Sequence, residues 1–162
     1  MKKWIVLVAM SLMVIVLVAC GEKEQEKTTP ATNDSYKRPP TLYLAVSDVL
    51  IERIDAQTYQ WTYTDKETNE TVQNATDALP PSKTVSMDDV YNVKDMKYLK
   101  VGFQPMPQFY RLMIWDQHDE QVAKYTDEAD IKESGTYILE VEATFENGTA
   151  QYFVPIHLPK RQ

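Results

Sequence analysis

The feature that most constrains this chain is a pair of alternating segments near its carboxyl end. Tyr137, Leu139, Val141, Ala143 and Phe145 alternate with polar residues except at Ile138, and Ala150, Tyr152, Val154, Ile156 and Leu158 repeat the pattern after Asn147-Gly148. A period of two belongs to half-buried strands, not to helices. Strands joined by so few residues pair antiparallel, because a parallel pair needs a long crossover. An Asn-Gly pair supplies the positive φ angles of a type I′ turn, which sets Glu146 opposite Thr149. The expected register then pairs Phe145 with Ala150, Ala143 with Tyr152, Val141 with Val154 and Leu139 with Ile156, all on one face.

The rest of 41–159 reads the same way, as short β-rich runs divided by turn residues. Thr41–Val46 is the first expected strand, and Val49–Ile54 reads as a second strand or a short irregular segment. Thr58–Tyr63 alternates cleanly and Thr71–Ala75 returns beside it. Pro80 and Pro81 place 77–83 in a loop, since neither can donate to a ladder, and Ser86 is positioned to cap a short helical turn. Leu99, Val101 and Phe103 share one strand face. Phe109–Trp115 is apolar on both faces, which predicts a central strand, with a turn at 116–120 and a short strand at 122–125. An all-β domain of 119 residues follows.

The amino terminus has three parts. Lys2 and Lys3 precede an uncharged apolar run of 15 residues from Trp4 to Val18, and the small Ala19 stands before Cys20. A membrane-crossing helix needs about 20 apolar residues, so the run reads as a removable export signal. Leu17-Val18-Ala19-Cys20 resembles the lipobox of bacterial lipoproteins. That resemblance implies cleavage between Ala19 and Cys20, diacylglycerol joined to the Cys20 thiol, and a domain anchored on the extracytoplasmic face of the cell membrane. Cys20 is the only cysteine, so once lipidated it leaves no thiol for a disulfide or a thiolate metal site.

From Gly21 to Pro40 the chain is polar, with Tyr36 its one sizeable apolar residue, and it reads as a disordered tether. The expected organisation is a signal peptide over 1–19, the lipidated cysteine and tether over 20–40, and the β domain over 41–159. The whole chain carries a net charge of −7, which becomes −9 if Lys2 and Lys3 leave with the signal. Such acidity argues against nucleic acid as a partner.

Two further resemblances bear on the domain. Glu133-Ser134-Gly135-Thr136-Tyr137 resembles the turn before a late strand in immunoglobulin-like sandwiches, which implies an antiparallel β-sandwich with Tyr137 as a tyrosine corner. The family's cysteine two residues later is Leu139 here, and either Trp61 or Trp115 stands where its core tryptophan would be. Tyr59-Gln60-Trp61-Thr62-Tyr63, Trp115-Asp116 and Gly135-Thr136-Tyr137 are together similar to motifs in small lipoproteins of Bacillus-like Gram-positive bacteria. That resemblance brings no activity with it.

The residues for chemistry are sparse. His118 and His157 stand far apart and in no metal-ligand spacing. No serine lies in a nucleophile motif, and four glycines form no phosphate-binding loop. Asp116, Asp119 and Glu120 share a turn without the EF-hand pattern, which reads as a solvated turn and not a cation site. No metal, cofactor or catalytic group is therefore expected beyond the lipid on Cys20. Tyr59, Trp61 and Tyr63 form one stripe: exposed, a platform for a glycan or peptide; buried, the inner face of a sheet, which is what aromatic alternation favours.

The leading expectation is a non-catalytic, membrane-anchored module that binds an envelope protein or glycan. A small-ligand or cation-binding accessory lipoprotein of a transporter or sensor is second, and a hydrolase is last. The first requires a contiguous exposed apolar patch, the second a concavity lined by converging polar groups, and the third two carboxylates facing one cleft.

Overall fold

The computed structural model of the chain describes residues 36–160. The expected signal, the expected cleavage point at Ala19 and Cys20, and the expected tether up to residue 35 lie outside the described residues. The all-β expectation holds. The strands are β1 (Leu42–Ala45), β2 (Ile51–Ile54), β3 (Thr58–Thr64), β4 (Thr71–Ala75), β5 (Tyr91–Asn92), β6 (Lys100–Phe103), β7 (Phe109–Trp115), β8 (Gln121–Tyr125), β9 (Gly135–Phe145) and β10 (Gly148–Leu158). A single helical turn, α1 (Pro81–Thr84), and 3-10 turns at Met96–Tyr98 and Glu128–Asp130 complete the described elements.

Two sheets form. The smaller has the order β2-β1-β6 and the larger β4-β3-β10-β9-β7-β8, with β5 added in parallel against the end of β10. All other pairings are antiparallel. Leu42 and Leu44 of the small sheet and Val141, Tyr152, Val154 and Ile156 of the large one belong to a single buried cluster, so the two sheets share a core. Phe103 carries the small sheet into the large: its ring meets Phe145 edge-on at 5.7 Å and Tyr152 at 5.5 Å. Such aromatic pairs add about 0.5–1.5 kcal/mol beyond the area they bury.

Glu128, buried at the next 3-10 turn, ties the sheets again. Its Oε1 accepts the Val101 N–H of β6 at 2.5 Å, and its Oε2 lies 3.4 Å from the Tyr110 hydroxyl of β7. Burial, then the neighbouring Glu128 charge, raises the Tyr110 phenol to about 12.

The β9–β10 hairpin corrects the expected register. Phe145 faces Gly148, Ala143 faces Ala150, Val141 faces Tyr152 and Leu139 faces Val154. The turn therefore sits on Glu146 and Asn147, one residue earlier than expected, and neither has positive φ. The cause is β3. Thr62 N–H donates to the Asn147 carbonyl and Asn147 Nδ2 donates to the Thr62 carbonyl, each at 2.8 Å. Gly148 (φ +148°) is pressed so close to β3 that an added Cβ would lie 2.0 Å from the Gln60 carbonyl oxygen. The glycine serves a close approach between strands rather than the turn. Because the shift is two residues, every side chain keeps its expected face.

Two boundaries also move. The expected tether is corrected over its last five residues. Tyr36–Pro40 is docked, with the Tyr36 carbonyl accepting Trp61 Nε1–H at 2.9 Å, Lys37 paired to Asp65 at 3.0 Å, and the Pro40 carbonyl accepting the Tyr152 hydroxyl at 2.6 Å. Composition names the tether's residues but not the partners waiting for them. The helical turn forms at Pro81 instead of Ser86. Pro81 fits a first helical turn because its missing N–H would be unpaired there anyway, and Asp119 takes both the N–H and the hydroxyl of Ser82 at 2.7 Å.

α1 packs on β9, across the face of the large sheet that looks away from the shared core. Pro81 is buried, as are Ile138, Phe153 and Met113 on that outer face, none of which belongs to the main cluster. The large sheet is thus covered on both sides along β9, as its apolar residues on both faces require.

Candidate functional site

The exposed-platform reading of Tyr59, Trp61 and Tyr63 is corrected. Trp61 is 2% exposed, stands edge-on to Phe145 at 5.6 Å, and spends its one donor on Tyr36. Tyr59 and Tyr63 pack half-buried against the same core. The alternation of β3 serves the interior, and Gln60 faces outward in its place. Trp115, the other candidate core tryptophan, lies on the outer face beneath α1's side of the sheet, where its Nε1 donates to Glu140 at 2.7 Å.

Both histidines are exposed; His157 shares a hydrogen bond of 2.8 Å with Thr136. The acidic turn does not converge on a cation. Asp116 Oδ1 accepts the N–H groups of His118 and Glu120, which hold its carboxyl below the usual range, while Asp119 is committed to Ser82. No group of metal-ligating side chains occurs among the described residues.

Glu140 is the one strongly buried acid of the outer face, at 3% exposure. Its oxygens accept from Trp115 Nε1 and from Gln151 Nε2 at 2.7 and 2.8 Å. Burial raises its pKa, and these two bonds only partly oppose the rise. A raised folded value means that Glu140 favours the fold most below the ordinary glutamate range, and that this contribution is lost as pH climbs through the raised value. Glu140→Gln should therefore differ from the native chain by about 1 kcal/mol or less near neutrality while flattening that dependence. Urea midpoints of both chains between about pH 4 and pH 8 check this, the native chain losing ground to the variant as pH rises.

An apolar surface gathers elsewhere, at the start of β7. The loop from β6 carries Met106 and Pro107, and Gln108 N–H fastens it to the Thr144 carbonyl at 2.8 Å. Met106 is 65% and Phe109 57% exposed. Beside them one shallow depression includes Tyr110, Arg111, Lys124 and Thr126. Arg111 is paired to Glu142 at 2.5 Å, yet its Nε is buried without an acceptor. Two exposed apolar side chains beside the exposed Lys124, with Arg111 already neutralised by Glu142, suit a partner offering an apolar surface with an acidic group at its edge. The sequence reading missed this surface, because Phe109–Trp115 looks buried on both faces throughout. The one available signal was Pro105 and Pro107 just before it, which keep the first strand residue at an open edge.

A second depression is lined by Gln60, Thr62, Gln73, Asn74, Asn147 and Thr149, all uncharged, and Asn147 Oδ1 lies buried there without a donor. No helix among the described residues is long and apolar enough to cross a membrane. Comparison with protein-family models, with curated proteins and with solved structures finds no significant match to this chain.

Proposed function

We propose that this chain is a lipid-anchored, non-catalytic binding module on the extracytoplasmic face of the cell membrane, and that it engages an envelope protein through the Met106–Phe109 surface. The observation that carries the reading is that contiguous apolar pair beside Arg111 and Lys124. The anchor reading draws its support from the charged start, short apolar run and single cysteine at the amino terminus. For the fold, an immunoglobulin-like sandwich is the finer reading. Supporting it are the consecutive neighbours β8-β7-β9-β10, like the C′-C-F-G run of variable-type domains, and the Tyr137 hydroxyl 3.5 Å from the Ser134 carbonyl, as in a long tyrosine corner. β3 and β4 extend this sheet past β10, and no strand lies between β8 and β9, so the chain departs from that topology in two places.

The test is recovery of a partner from membranes with the full chain, its Phe109→Asp variant and its Cys20→Ala variant. The native chain should fractionate with membranes and retain a partner, Phe109→Asp should keep the membrane location and unfolding midpoint but lose about tenfold or more of the partner, and Cys20→Ala should become soluble. Unchanged capture by Phe109→Asp removes this surface from the function, and soluble behaviour of the native chain removes the anchor. The uncharged groove around Asn147 favours the alternative of an accessory that holds a small neutral ligand, since amides and hydroxyls offer donors and acceptors side by side.

A further inference from the structure

The turn between β1 and β2 presents three aliphatic residues in succession. Val49 is 87% and Ile51 64% exposed, with Leu50 between them. Surface turns are ordinarily built from Gly, Asn, Asp and Ser. We propose that this tip rests in the headgroup boundary of the membrane and fixes the orientation of the domain on it, an inference that rests on the anchor reading above.

Part of the backbone of the tip is paired within the turn. Ser47 Oγ accepts the N–H groups of Val49 and Leu50 at 3.4 and 3.1 Å, and Val46 N–H donates to the Leu50 carbonyl at 3.2 Å. Backbone groups paired within the turn lose little when water is stripped from around them. Charge near the tip is mixed. Lys94, whose N–H donates to the Val46 carbonyl, and Lys100, paired with Ala45, are exposed beside the tip. Asp48 at the tip itself, Glu52 beside Ile51 and Asp95 beside Lys94 oppose them, so the aliphatic side chains carry the contact. A lysine near an anionic leaflet contributes about 1 kcal/mol.

Chain length permits the contact. Fifteen residues separate Cys20 from Tyr36. A flexible coil of fifteen residues would span about 20 Å. The thirteen residue steps from Tyr36, where the docked segment begins, to Val49 cover at most roughly 44 Å, within the roughly 50 Å that fifteen extended residues can reach. A tip that the anchor can bring to the bilayer meets it at a raised local concentration, so a weak insertion suffices. The loop carrying Met106 then follows the end of β6 away from the tip, because β6 runs from Lys100 at the tip end to Phe103.

Lipid on Cys20 leaves Leu50→Cys as the sole thiol of the full chain, and Val122→Cys, exposed on β8, is its control. Each lipidated variant is bound to vesicles of phosphatidylethanolamine and phosphatidylglycerol and treated with a membrane-impermeant maleimide. The chain should float with the vesicles, and Leu50→Cys should react about tenfold more slowly than Val122→Cys. In the Cys20→Ala background, free in solution, the two should react alike. Equal rates on floating vesicles overturn the tip contact and leave the anchor standing. A chain that does not float, and whose Cys20 itself takes the label, overturns the anchor. Protection on native membranes but not on pure lipid assigns the tip to a membrane protein and overturns the lipid contact.

Discussion

Trp61→Ala should unfold this domain far more readily than any exposed aromatic substitution. Removing a buried tryptophan costs about 3–5 kcal/mol, which for a domain of this size lowers the melting temperature by about 10–20 °C. Three losses combine: the edge contact with Phe145, the volume at the centre of the shared core, and the donor that holds the Tyr36 carbonyl. Thermal unfolding followed by circular dichroism reads the first two. Faster proteolysis between residues 36 and 40 reads the third, since the docked segment loses one of its clasps. A change of about 0.5 kcal/mol or less is what a surface residue gives, and that result would restore Trp61 to the protein's exterior.

Gly148→Ala is expected to match it through the backbone. A methyl group at this position would lie 2.0 Å from the Gln60 carbonyl oxygen and 3.2 Å from the Trp61 Cα, both main-chain atoms that cannot rotate aside. The strand pair must separate, and φ at +148° adds its own strain. About 3 kcal/mol or more should be lost. Gly135→Ala is the matched comparison, because its φ is +125° but its nearest neighbour is the Tyr137 ring at 3.6 Å. That change should cost about 1 kcal/mol. Urea unfolding of the two variants separates conformational strain from steric exclusion, and equal losses would mean that β3 gives way at Gly148.

These two residues also mark what was legible in the sequence and what was not. The alternation around Asn147-Gly148 shows the strands, their pairing and their faces, because a period of two is local. The turn's position was not legible, because it is decided by Thr62 and Gln60, more than 80 residues earlier in the chain. Trp61 shows the same division. Its alternation announces a strand, and only the small sheet decides that this face is covered. The Pro81 turn was missed because its acceptor, Asp119, comes from 37 residues away. Glu128 carries no local sign of burial; it stands between acids, Asp127 and Asp130, that look like solvent-exposed turn residues. The Met106–Phe109 surface escaped for the opposite reason, since exposure of one strand end depends on where the neighbouring strands stop.

A carboxylate plugging β6 has a meaning beyond cohesion. An unpaired strand edge is a template onto which another chain can add. The Val101 amide, which would otherwise face outward from the small sheet, is occupied by Glu128. At the opposite border, Glu52 faces Leu44 and so directs its charge toward the covered side of the sheet, where an incoming strand would have to bury it. At each border of the small sheet an acid thus stands against strand addition, one by occupying an amide and the other by the cost of burying its charge.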